Sequence, residues 1–315
     1  MNAVKKAEQP EQHDLFVCDL TNWPAKDDLA SMDVPIFSLS KGGDTEIRKY
    51  VRGNRKTTII PSAAGAATVF DKDLLIYAVS QIIEAKNKGL PISRRVKINS
   101  YDFLTSTERG DGGAAFDRVI DMLRRLKGTN IETNIPTNGV TKIQSFSLIE
   151  DYIVLSEKKR TVSASKGDKG NVAKEVNRIL SFEIILSEWL MNGLLNYEVL
   201  TIDKGYFKLD KPYEKRIYEI GRKHCGNQPM YKENIDDFAE KMGIKGARFK
   251  VRSALKEIIK RDPLPEYHLA LDESKKIDDV VLFTRNQAQL SKHVIANQLY
   301  EWYENLYRHD NFARA

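Results

Sequence analysis

The side chains best placed to do chemistry lie between Lys241 and Arg261. This stretch holds Lys241, Lys245, Arg248, Lys250, Arg252, Lys256, Lys260 and Arg261 against one acid, Glu257. Wound at 100° per residue, Val251, Leu255, Ile258 and Ile259 fall on one apolar stripe. Lys245, Arg252, Lys256 and Lys260 then gather on the opposite side. The chemistry of such a face is binding. A guanidinium can fork onto the edge of a guanine, and an ammonium more often neutralises a phosphate. A solvated basic face is the plain alternative. The position of this helix, after a short helix and a turn, favours DNA contact through Lys245, Arg248, Lys250, Arg252, Lys256 and Lys260.

Two further sets are weaker candidates for the same role. The helix expected over 114–127 carries Arg118, Arg124 and Arg125, but Asp117 and Asp121 share its exposed side. Lys158, Lys159 and Arg160 open a basic, small-residue stretch, 158–170, that reads as a flexible loop able to lie on phosphates.

Residues for bond-making chemistry are missing. No stretch reads G-x-x-x-x-G-K-[ST], so no P-loop cradles a nucleotide. His13, His224, His268, His293 and His309 are too far apart for the tight pair that would hold a metal beside a nicking tyrosine. No G-x-S-x-G elbow occurs. His224 and Cys225 are adjacent, but helix neighbours point about 100° apart, which suits a helix end at Gly226 better than a nucleophile–base pair. Cys18 and Cys225 alone make neither a disulfide framework nor a zinc site. The expectation is a protein that is not an enzyme, with no cofactor and no metal.

The elements that must position the basic residues follow from periodicity. Residues 1–40 mix charge with Pro10, Pro24 and Pro35 and read as an extended arm, disordered at its tip, in which Trp23 and Val34–Phe37 could dock on a core. Asp71–Lys88 is a helix with Leu74, Leu75, Ala78, Val79, Ile82 and Ile83 on one face. A strand at 95–98, a short helix 101–107 capped by Ser100, a long helix 114–127 and strands at 130–135 and 143–155 follow. The order recurs: helix 213–225 opened by Pro212, short helix 234–241, long helix 247–261, strands 267–271 and 280–283. Helix, strand, short helix, turn, helix and hairpin is the layout of a winged helix. The fold class read from the chain is therefore α+β, two tandem winged-helix (helix-turn-helix plus β-wing) domains. The boundaries expected are 1–40 for the arm, 41–170 and 171–285 for the domains, and 286–315 for a C-terminal amphipathic helix over 290–307.

With 315 residues, two domains are the natural number. The net charge of +6 is uneven, since residues 1–40 carry three lysines against seven acids. A basic body behind an acidic head suits a polyanionic partner. No apolar run approaches the roughly 18 residues of a membrane span, and 1–14 has no secretory h-region, so the cytoplasm is the expected compartment.

Several segments carry a resemblance. They are Trp23–Asp28, Met32–Ser40, Phe70–Tyr77, Leu126–Ile131, Leu186–Leu190, Tyr206–Leu209, Arg216–Glu219, Arg222–Gly226 and Leu264–Tyr267. In this order, over about residues 14–285, the chain resembles the plasmid replication initiator protein A family, the RepA-like initiators of bacterial plasmids. One departure is Met32-Asp33-Val34-Pro35, where relatives tend to carry a Glu-His pair before the proline. The resemblance implies tandem winged helices that bind repeats in double-stranded DNA at a plasmid origin. It also implies opening of the duplex, recruitment of host helicase and initiator proteins, and homodimers that repress the protein's own gene. A winged-helix transcriptional repressor without a replication role is the alternative.

Overall fold

The computed structural model describes residues 15–41, 43–110, 114–134, 143–163, 172–244, 246–274 and 276–305. In chain order its first elements are β1 (Phe16–Cys18), β2 (Lys26–Asp28), α1 (Leu29–Asp33), β3 (Arg48–Arg52), β4 (Arg55–Ile60), α2 (Lys72–Asn87), β5 (Arg95–Asn99) and α3 (Ser100–Ser106). Next come α4 (Ala115–Gly128), β6 (Asn130–Thr133), β7 (Gln144–Ser147), β8 (Ile149–Ser163), β9 (Val172–Leu186), α5 (Glu188–Leu195) and β10 (Val199–Thr201). After a 3-10 turn, Lys204–Lys208, follow α6 (Pro212–Cys225), β11 (Met230–Asn234), α7 (Ile235–Met242), α8 (Arg248–Arg261), β12 (Tyr267–Asp272), β13 (Asp279–Thr284), α9 (Gln287–Leu290) and α10 (Val294–Tyr303). The chain is a mixed α+β protein of two compact units. One comprises residues 1–28, 43–67 and 71–199; the other comprises 29–42, 68–70 and 200–315.

In the first unit α2 is buried along almost its whole length, so its apolar residues do not form a single narrow stripe. A chain of edge-to-face rings runs from Trp23 to Tyr77, Phe103 and Phe182, with centroids 5.4, 5.7 and 6.0 Å apart. That geometry suits the ring quadrupoles and ties α2, α3 and β9 to the segment ahead of β2. Asp27 and Lys72 form a fully buried ion pair at 2.6 Å. Residues 15–28 are therefore part of the core and not an arm. β1 adds in parallel to β5, Phe16 opposite Val96, and Trp23 is buried as expected.

The four strands of this sheet run β1-β5-β9-β8. A second sheet runs β3-β4-β6-β7. The hairpin expected directly after α4 is thus part of a separate sheet. The stretch expected as one strand over 143–155 breaks into β7 and β8. The strands that return to β5 are β8 and β9, paired from Ile149 and Leu186 out to Ser163 and Val172. A domain boundary at residue 170 would cut this pair. The N-cap of α3 is Asn99, whose side chain accepts from the Tyr101 and Asp102 amides, rather than Ser100.

In the second unit α6 begins at Pro212 and stops at Gly226, where φ is +52°. Asn234 caps α7 through the amides of Asp236 and Asp237. Gly243, at φ +77°, takes the left-handed turn that ends α7 and that an L side chain resists. The sheet runs β11-β13-β12, and both β12 and β13 are buried throughout. Helices cover the sheet, and α8 buries Val251, Leu255, Ile258 and Ile259 as their spacing predicts. The C-terminal amphipathic helix is broken into α9 and α10, with His293 capping the second through the Ala296 amide. Tyr300 and Tyr303 of α10 pack against His268 and Phe283, so this helix is used within its own unit.

The two units share one order. Leaving out β6 and β7, which stand between α4 and β8, α2-β5-α3-α4-β8-β9 in the first matches α6-β11-α7-α8-β12-β13 in the second. In both, the last strand of the series lies in the middle of its three-stranded set, β5-β9-β8 and β11-β13-β12.

Candidate nucleic-acid interface

α8 is the candidate interface because its two sides differ so sharply. The apolar stripe holds it to the sheet, and Phe249, Lys250, Ser253, Lys256 and Lys260 stand exposed on the rest. Its first turn contains no acid. Lys250 and Lys260 have no carboxylate partner among the described residues. Arg248 forks onto Asp236 of α7, Nε to Oδ1 at 2.8 Å, which fastens the start of α8 to the preceding helix.

Arg252 and Lys256 are engaged by acids of the β12–β13 connection. Arg252 Nη2 lies 2.8 Å from Glu273 Oε1, and its Nε lies 2.8 Å from Asp278 Oδ2. Lys256 Nζ is 2.7 Å from the same Glu273 oxygen. The hydrogen bond from Lys256, with that from Arg252, holds the Glu273 carboxyl below its usual range. Beside them Lys232 bridges Asp272 and Asp279 at 2.5 and 3.3 Å. Burial would raise the Asp272 carboxyl, but its bonds from Lys232 and Ser274 bring it down to about 2. Arg252 and Lys256 thus lie opposite the apolar stripe, but each is held by acids that the helical period does not reveal. Lys245, the remaining member of this set, lies outside the described residues. Lys241 is in α7 and buried, bonded to Glu233 at 2.5 Å, so its charge does not add to the face.

The corresponding face of α4 is neutralised locally. Arg118 donates to the Gly110 carbonyl at 2.9 Å, Arg124 pairs with Asp121 at 3.1 Å, and Lys127 pairs with Asp151. Arg125 is not on the exposed side. It forks onto the buried Asp71 at 2.7 and 2.8 Å, a bond that holds its own pKa up and anchors the end of α4 to the start of α2. Lys158, Lys159 and Arg160 lie in strand β8, which runs to Ser163, rather than in a loop; 164–170 of that stretch lie outside the described residues.

One feature of the surface escaped the sequence reading. Phe249, 69% exposed, lies three, seven and eleven residues before Arg252, Lys256 and Lys260 and so shares their face. Its position on the polar side of the wheel was the available signal. Lys49 and Lys56 stand exposed on β3 and β4 on either side of a Gly53-Asn54 turn, with Val51 directly opposite Lys56.

His224 and Cys225 form no nucleophile–base pair. The His224 ring stacks on Tyr231 with centroids 4.8 Å apart, and burial, with Lys241 and Lys223 nearby, pushes it down to about 4. Cys225 Sγ faces the Leu282 carbonyl at 3.5 Å, and burial pushes its thiol up to about 12. No cluster of three or more histidine, cysteine or carboxylate side chains fit for a metal occurs among the described residues. No helix among them is long and apolar enough to cross a membrane.

The model of the replication initiator protein A family matches residues 26–269. The chain belongs to this family. A relative from Wigglesworthia glossinidia brevipalpis, named "Putative replication protein", is 38% identical over 262 residues, covering 82% of this chain and 88% of its own. Among solved structures, domains 2 and 3 of RctB superpose with a TM-score of 0.56 at 13% identity, covering 81% of this chain and 98% of theirs. A second structure of those domains gives 0.52 at 12% identity, covering 82% of this chain and 98% of its own. At that identity the likeness concerns the α+β fold. Family membership adds a replication role.

Proposed function

We propose that the chain is a plasmid replication initiator that binds repeats in double-stranded DNA at an origin. Its two shared element series act as tandem winged helices, with α8 the reading helix and the β12–β13 connection its wing. The observation that carries this reading is the outer face of α8, where Lys250 and Lys260 stand exposed without a carboxylate partner among the described residues. On α4 the described side chains of Arg118, Arg124, Arg125 and Lys127 each have an acceptor within the unit. The second winged helix therefore dominates recognition, and the first serves as a supporting contact. Two DNA-binding modules on one chain raise apparent affinity because the second contact is intramolecular. Several copies on adjacent repeats bend the duplex, and bending favours opening at flexible A·T-rich steps. The chain does this by binding energy, without catalysis or nucleotide, in the cytoplasm. Host helicase and initiator proteins are then recruited to the opened strand, and a homodimer serves repression of the protein's own gene.

The test is fluorescence anisotropy with DNA flanking the protein's own gene and with a shuffled control, across a salt series. A large specific excess that persists at physiological salt is expected. Equal, salt-sensitive binding to both would overturn the reading. Permanganate reactivity of an A·T-rich segment beside the bound repeats, on supercoiled DNA, then reports the opening step.

A further inference from the structure

α8 holds out a hydrocarbon ring at the place where a groove-reading helix meets bases. Phe249 lies in the first turn of α8 and is more exposed than any other phenylalanine or tyrosine among the described residues. The N-terminal residues of a reading helix are those that reach base edges in the major groove. Around Phe249, the nearest described guanidinium and ammonium groups of its face are already engaged. Arg252 holds Glu273 and Asp278, and Lys256 holds Glu273. Arg248, its neighbour, holds Asp236. The cations left open, Lys250 and Lys260, lie at the flank of Phe249 and three turns further along, where a phosphate would meet them. Only one apolar group is offered by base edges in the major groove, the C5 methyl of thymine.

We propose that Phe249 is a specificity-determining residue that packs on a thymine methyl, so that the half-site facing the start of α8 is read by thymine and not by guanine. This rests on the reading of α8 as a helix that enters double-stranded DNA. Its consequence is a base contact that carries no charge. It will persist at salt concentrations that erase the lysine contacts.

The experiment uses the full chain and the specific duplex selected by anisotropy. Each thymine is replaced singly by deoxyuridine, which removes the methyl and keeps the base pair. Wild type is expected to lose about three- to fivefold in affinity at one or two positions, the worth of one buried methyl group. Phe249→Ala should bind the thymine duplex more weakly and no longer distinguish thymine from uracil there, while Phe249→Leu should keep part of the distinction. The ring is exposed, so both variants should melt with wild type. A flat uracil scan in wild type, or a Phe249→Ala variant that still discriminates, overturns the proposal and leaves DNA binding intact. A flat scan together with a lower solution mass for Phe249→Ala overturns it in favour of contact with a second copy. Failure of wild type to prefer its own duplex removes the initiator reading and this inference together.

Discussion

Arg252 of α8 and Glu273 of the β12–β13 connection are joined at 2.8 Å, and Lys256 reaches the same carboxylate oxygen at 2.7 Å. The proposed wing of this unit is thus acidic where it faces the reading helix. On the proposed function it competes with phosphate for two cations of the helix. Glu273→Gln combined with Asp278→Asn is expected to tighten binding to specific and random DNA alike at low salt. The salt slope should steepen by up to about one unit for each freed cation. Anisotropy across a salt series checks this; an unchanged slope would mean that Arg252 and Lys256 do not compete for DNA in the free protein.

Lys250 and Lys260 carry the opposite expectation. Each is exposed and has no carboxylate partner among the described residues, so each should release counterions on binding. Lys250→Ala and Lys260→Ala should each lower the salt slope by about one unit and weaken specific and random duplexes by the same factor. Arg124→Ala, which removes a side chain already paired with Asp121, should leave the slope unchanged. Equal slopes for all three variants would remove the distinction drawn between α8 and α4.

Arg125 tests that distinction from the side of stability. Its guanidinium forks onto Asp71, whose side chain is only 2% exposed. Arg125→Leu removes this two-bond fork from a buried carboxylate and should cost about 3 kcal/mol in urea unfolding. The doubly substituted Arg125→Leu, Asp71→Leu protein should recover much of the loss, because an apolar pair leaves no buried charge. DNA affinity measured well below the melting midpoint should be unaffected, which a groove contact by Arg125 would not allow.

What could be read from the chain depended on how local the cause was. The stripe Val251, Leu255, Ile258, Ile259 and the stop at Gly226 are set by neighbours within one or two turns, and they stand where the spacing puts them. β1 is three residues long and pairs with Val96–Ile98, about eighty positions away, so no local pattern marks it. β8 was misread over 158–163 because lysine, arginine and small residues resemble a loop, whereas the pairing with β9 is made by backbone groups that no side-chain pattern announces. The interface shows the same division. Which residues face outward on α8 follows from the helical period. That Glu273 and Asp278 reach back to Arg252 follows from the return of a hairpin, and only the fold brings them together.

His224 gives a pH signature of the folded second unit. Its ring is stacked on Tyr231, with Lys223 and Lys241 as neighbouring cations and Glu233 and Asp33 as opposing acids. Burial first, and the two lysines second, bring it to about 4 against 6.5 in an unfolded chain. Between these values the unfolded chain binds a proton that the folded chain refuses. Stability from this group is therefore complete above about pH 6.5 and is lost as the pH falls toward 4. The full shift would correspond to about 3 kcal/mol, and partial exposure of the ring reduces this to about 1–2 kcal/mol. His224→Phe keeps a ring to stack on Tyr231 and cannot titrate. Urea unfolding at pH 7 and pH 4.5 should show a smaller loss for the variant than for wild type by that amount. An equal loss in both proteins would place the proton of His224 in the folded state as readily as in the unfolded one.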